Sequence, residues 1–185
     1  MKIIAYDKQF DLILEGKNTA EPYDSEDYIN YVKMNKARIK RWRKTGKILD
    51  ELEQKIKQIE NPQKWILITE PWCGDAAHSQ PFIEKLAAIN PFVSLEIQNR
   101  DAPGSEIDSY LTNGSKSIPM LVVRNQSDKD MMTWGPRPTE AQQMVMLAKT
   151  DQNKDPETKK QNLQRWYNED KGKSLQQEIF ELLKD

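Results

Sequence analysis

The chain has 185 residues, 31% charged and 37% hydrophobic, with 28 Lys and Arg nearly balancing 29 Asp and Glu. A formal net charge of −1 gives no overall pull toward nucleic acid or an anionic membrane. A single Cys excludes an internal disulfide and a multi-thiolate metal site within one chain, and no run approaches the ~18 apolar residues of a spanning helix.

Residues 1–23 carry short apolar clusters (Ile3, Ile4; Phe10, Leu12, Ile13, Leu14) and read as an irregular arm ending near Glu21-Pro22. Acids interrupt those clusters, so they do not form a signal peptide's apolar region, and a cytoplasmic location is expected. Asp24 or Ser25 caps a helix with apolar positions Tyr28, Tyr31, Val32, Ile39 and Trp42, ending at Gly46. Ile48, Leu49, Leu52, Ile56 and Ile59 keep helical spacing until Asn61-Pro62.

The pattern then changes. Trp65-Ile66-Leu67-Ile68-Thr69 is the continuous apolar run of a strand buried on both faces. Pro71-Trp72-Cys73-Gly74-Asp75 makes a turn, and Ala76 to Ile89 is helical. Phe92–Ile97 alternates like a strand, and Ser105 caps a short helix through Leu111. Ile118–Val123 and Met131–Trp134 are two further strands, before Gly135-Pro136 and a helix from Thr139 to about Lys149. The first three strands read as parallel crossovers and the last two as an antiparallel hairpin, which gives a mixed sheet. Asp155-Pro156-Glu157 starts another helix, and Ser174-x-x-Gln177 resembles a capping box before Ile179, Phe180, Leu182 and Leu183. Leu163, Trp166 and Tyr167 form a stripe suited to packing on the main body. The expected organisation is an N-terminal arm and helical extension (1–63), an α/β core (64–150) and a C-terminal helical extension (151–185), together one compact unit.

Within the core, Trp72-Cys73-Gly74 follows a buried strand at a helix start, Pro81 interrupts that helix, and Ser117-Ile118-Pro119 opens the next central strand. Gly135 follows the last strand. This combination resembles the thioredoxin superfamily over residues 64–150, about half the chain. The resemblance implies a thioredoxin-like mixed sheet flanked by helices. It implies a nucleophilic Cys73 and a groove shaped by Trp72, Gly74, Asp75 and Ala76 on one side and by Ile118 and a cis-Pro119 on the other. Two departures stand out: Ala76 replaces the family's second cysteine and Asp75 its intervening proline. Leu67 stands where thioredoxin has a buried aspartate.

Without a second thiol, an attack on a disulfide stops at the mixed disulfide until an external thiol resolves it. The expected activity is therefore monothiol thiol–disulfide exchange. It needs no cofactor but admits a low-molecular-weight thiol such as glutathione or bacillithiol as co-substrate, and its partners are protein or small-molecule thiols and disulfides. The rival is a non-catalytic module that binds a protein or peptide in the Trp72/Pro119 groove. A helix N-terminus lowers a thiol pKa. An ionised Asp75 about 6 Å away opposes this by about 0.7–2.8 kcal/mol at an effective dielectric of ~20–80, so only modest activation of Cys73 is expected.

His78 lies about 140° around the helix from Cys73 by the 3.6-residue period, which suits an ordinary surface or helix-packing histidine better than catalysis or metal binding. Lys33, Lys36, Arg38, Lys40, Arg41, Arg43, Lys44 and Lys47 form a basic run, read as a solvated face balanced by acids elsewhere rather than a nucleic-acid surface. Trp134 suits either the groove or the core.

Overall fold

In the computed structural model, which describes residues 1–150 and 155–183, a four-stranded sheet has the order β2-β1-β3-β4. The strands are β1 (Gln63–Thr69), β2 (Val93–Asn99), β3 (Met120–Arg124) and β4 (Asp130–Trp134). β1 pairs in parallel with β2 and antiparallel with β3, and β3 pairs antiparallel with β4. The expected mixed α/β sheet is present, but the third strand runs opposite to the parallel direction expected for it. A parallel return needs a crossover, usually a helix of a dozen or more residues. Between β2 and β3 the chain offers a single 3-10 turn, Ile107–Ser109, where a helix through Leu111 was expected.

β1 alternates between two cores. Trp65 and Leu67 join Leu121, Val123, Phe82, Ile83 and Leu86 on one face. Ile66 and Ile68 join Val122, Met120, Ile118 and Cys73 on the other. Burial of each such side chain contributes about 1.5–3 kcal/mol. Leu67 is fully buried, in register with Ile97 and Leu121, so no carboxylate stands at that position.

Seven helices surround the sheet among the described residues: α1 (Ile3–Leu14), α2 (Glu26–Thr45), α3 (Asp50–Lys57), α4 (Gly74–Ala87), α5 (Thr139–Thr150), α6 (Pro156–Asp170) and α7 (Lys173–Leu182). α1 corrects the reading of an irregular arm. Tyr6, Phe10 and Ile13 recur at helical spacing and bury one face against Val32, Ile39 and Ile97. α3 is shorter than expected, ending at Lys57 rather than near Asn61-Pro62. α6 starts as read, with the Asp155 side chain accepting from the Thr158 N–H and Pro156 opening the helix. The Ser174 capping box does not form. Ser174 lies inside α7 and donates, through its N–H and hydroxyl, to Asp170 Oδ1.

The basic run on α2 is only partly a solvated face. Arg43 turns inward and bridges Asp7 on α1 and Glu84 on α4, while Lys36 pairs with Asp11. α2 and α7 also meet around Phe82 of α4. A Cβ at Gly46 would come 2.8 Å from the Phe82 ring and one at Gly172 2.5 Å from it, so both positions are closed to any larger residue.

His78 joins three helices. Its Nδ1 accepts from Trp42 Nε1 of α2 at 3.0 Å, its Nε2 lies 2.8 Å from Gln164 Oε1 of α6, and its ring stacks on Tyr167 at 4.5 Å. The indole N–H only donates, so Nδ1 is bare and Nε2 carries the proton. Burial first, with the neighbouring Arg38 and Arg41 opposing and the Gln164 bond supporting a charge, pushes the His78 pKa down to about 4. In the unfolded chain it returns to its ordinary value of about 6.5. The folded pKa is depressed, so the stabilisation is complete above pH ~6.5 and is lost as pH falls toward 4, by on the order of 3 kcal/mol. Urea melts of the wild type and His78→Gln are therefore expected to differ more at pH 7 than at pH 4. A gap that does not change with pH contradicts this role.

Candidate functional site

Cys73 occupies the N-cap of α4, which the turn at the end of β1 delivers to the edge of the sheet. Its sulfur accepts from the Ala76 N–H at 3.5 Å, and the thiol donates to the Ile118 carbonyl at 3.4 Å. The Ile118–Pro119 peptide is cis. Gly135, at φ +137°, packs so closely behind this loop that a Cβ would lie 2.3 Å from the Pro119 carbonyl oxygen. α2 fixes the other side of the turn. Asn35 Nδ2 donates to the Pro71 carbonyl at 3.0 Å and Arg38 Nη1 donates to Asn35 Oδ1 at 2.9 Å.

Trp72, Cys73, Gly74, Asp75 and Ile118 line a cleft of about 1080 Å³, walled by α2 (Tyr31, Arg38) and α6 (Lys160, Gln164). Ala76 lies one turn inside it, 2% exposed, where a second thiol would stand. Trp72 is half-buried, edge-on to Tyr28 at 5.8 Å and under the Arg100 guanidinium at 4.8 Å. Trp134 does not join the cleft. It belongs to the core and donates through Nε1 to Glu178 at 2.7 Å.

The electrostatics differ from the sequence expectation in their main cause. Cys73 is only 5% exposed, and its pKa is pushed up to about 12, by burial first and Asp75 second; the Ala76 N–H and Arg137 work against the rise. Helix-end activation is thus outweighed by desolvation rather than by the neighbouring carboxylate alone. Asp75 is itself buried. Its Oδ1 accepts from the Tyr167 hydroxyl at 2.8 Å and its Oδ2 pairs with Arg137 Nη2 at 2.7 Å. Burial lifts its carboxyl above the usual range, and Arg137 and Tyr167 hold it back. Glu70, one residue after β1, is also buried and accepts from Asn99, the Asp101 N–H and Tyr23; burial raises it as well.

Sequence reasoning missed Arg38, Arg137, Gln164, Tyr167 and Glu70. The two arginines were legible only as members of a basic run and a Gly-Pro-Arg-Pro turn. Tyr167 was legible as part of a packing stripe, without its carboxylate partner 92 residues away. Among the described residues no cluster of three or more His, Cys, Asp or Glu offers a metal site, and no helix is long and apolar enough to cross a membrane.

A thiol held this way gives an alkylation profile with iodoacetamide that rises with pH and does not level off below about pH 10. Asp75→Asn, which keeps the shape but removes the charge, is expected to speed alkylation at pH 8 several-fold. A plateau below pH 8 in the wild type contradicts the assignment.

The comparisons agree with this geometry. A family model described as Thioredoxin matches residues 22–159. No curated protein matches the chain. Two solved structures share its fold. One is a protein of unknown function, PA1234, from Pseudomonas aeruginosa (14% identity, 83% of this chain and 89% of that one, TM-score 0.58). The other is an HIV epitope scaffold (16% identity, 74% of this chain and 80% of that one, TM-score 0.52). With the match spanning most of the chain and the cysteine turn facing Ile118-Pro119, the chain belongs to the thioredoxin family.

Proposed function

We propose that the protein carries out monothiol thiol–disulfide exchange, with Cys73 as its nucleophile and an external thiol as the resolving partner. The observation that carries this reading is the Cys73 thiol at the floor of an open cleft. Its hydrogen bond runs to the Ile118 carbonyl, and the buried Ala76 methyl stands where a resolving sulfur would be. Cys73 attacks one sulfur of a disulfide, that disulfide's bond breaks, and the departing half leaves as a thiol carrying the proton from Cys73. A second external thiol then attacks the mixed disulfide and regenerates Cys73. Trp72 and the Ile118-Pro119 backbone border the incoming group.

The buried thiol with its raised pKa supports a second reading, a non-catalytic module whose cleft binds a protein or peptide. Incubation with cellular extract under non-reducing conditions separates the two. Monothiol chemistry predicts disulfide-linked adducts that vanish in Cys73→Ala. The binding module predicts capture that Cys73→Ala leaves intact.

Ala76→Cys supplies the missing resolving thiol and is expected to confer insulin reduction with dithiothreitol. Absence of that activity in a folded variant contradicts a thioredoxin-type arrangement at the cleft.

A further inference from the structure

Resting on the monothiol reading above, we infer that the cleft contains a carboxylate-binding subsite at the head of α4, formed by Arg38 and Gln164, and that the disulfide attacked by Cys73 is a small one bearing carboxylates.

Arg38 carries the first part of the argument. This half-buried guanidinium gives its hydrogen bond to a neutral amide, Asn35 Oδ1, at 2.9 Å. Asp75, the acid on the adjoining turn, has one oxygen on Tyr167 and the other on Arg137. Among the described residues Arg38 therefore has no carboxylate within bonding distance; Asp75 acts on it only from farther off. Burial first, with Arg41 adding and the nearby but unbonded Asp75 opposing, lowers its pKa. A half-buried guanidinium bonded only to a neutral amide keeps donors with which an anion can pair.

Gln164 carries the second part. Trp42 leaves His78 with its proton on Nε2, so Gln164 must turn its oxygen toward the histidine. The Gln164 NH2 group then faces the head of α4. A Cβ at Gly74 would sit 3.8 Å from Gln164 Nε2 and 3.9 Å from Arg38 Nη1. Two donors from two different helices converge there, beside the partial positive charge of the α4 N-terminus, whose Ala76 N–H is taken by the Cys73 sulfur.

Charge and size select the ligand. The cleft lining carries six Lys or Arg against three acids, a formal +3, whereas the chain as a whole carries −1. Its volume of about 1080 Å³ matches small-molecule sites, and α2 and α6 stand on either side of it. A carboxylate on Arg38 and Gln164 holds such a disulfide one residue from Cys73. Exchange is self-balancing: the substrate S–S bond breaks, the Cys73–substrate S–S bond forms, and the Cys73 proton leaves on the released thiol. The oxidation of Cys73 is matched by the reduction of that departing sulfur.

The test has a binding arm and a reaction arm, with thermal melts to verify folding of each variant. S-methylglutathione carries carboxylates, but its capped sulfur does not exchange. It is expected to bind the wild type in a calorimetric titration, and Arg38→Met or Gln164→Glu is expected to weaken it about tenfold or more. Gln164→Glu keeps an oxygen for His78 and replaces only the donor facing Gly74. No binding to the wild type, or equal binding by all three proteins, overturns the subsite. In the reaction arm, mass spectrometry follows Cys73 adducts from oxidised glutathione and from neutral bis(2-hydroxyethyl) disulfide. The rate ratio favouring the anionic disulfide is expected to fall about tenfold in either variant, and an unchanged ratio overturns the substrate class. If S-methylglutathione binds in an Arg38-dependent way but neither disulfide reacts, the subsite stands and the monothiol chemistry fails.

Discussion

The site depends on a buried carboxylate. Asp75 sits in the first turn of α4 beside the only cysteine of the chain, and removing a charge from water there is costly unless it is matched and hydrogen-bonded. Arg137 supplies the match from the loop after β4, and Tyr167 supplies a hydrogen bond from α6. Three segments remote in sequence are therefore held at one point, and the cleft takes its shape from where they meet. Removing either partner leaves a buried acid uncompensated, so the arrangement stands or falls together.

A thiol in such surroundings is protected at rest. Desolvation and Asp75 keep the proton on Cys73, and the Ile118 carbonyl accepts that proton in a hydrogen bond. In the proposed exchange, reactivity depends less on a standing thiolate than on what enters the cleft. A ligand that engages the Ile118 backbone competes for the group that holds the thiol. This differs from a dithiol design, in which the neighbouring cysteine stabilises the thiolate and completes the reaction.

The core was the readable part of the sequence because local patterns determine it. The apolar run at 65–69, the alternation at 92–97 and the Ile-Pro before β3 each report burial or backbone geometry within a few residues. Strand direction was less accessible. A run of Ile and Val reads the same in either orientation, and only the poor helical content between β2 and β3 hinted at an antiparallel return. α1 was missed because its buried face is three aromatic or aliphatic residues among charges, with no capping side chain at its start. The Cys73 turn itself was legible from its spacing, but its chemistry was not. Burial of the sulfur comes from Ile66, Ile107 and Met120, and the charges around it come from α2 and the 137 loop; none of these is visible in Trp-Cys-Gly-Asp-Ala. His78 was legible as a surface or helix-packing residue rather than a catalytic one; that it packs, and the Trp42 and Gln164 contacts that set its proton, required the fold.

The Phe82 ring is enclosed by Gly46 at the end of α2 and Gly172 at the start of α7, with no space for a side chain at either position. This ties three distant positions into one steric unit. In the evolution of such chains, a substituent gained at position 46 or 172 is tolerable only with a smaller residue at 82. An aromatic at 82 equally requires glycine at both others. These positions are expected to covary as a set, recording when the two flanking segments and α4 began to change together.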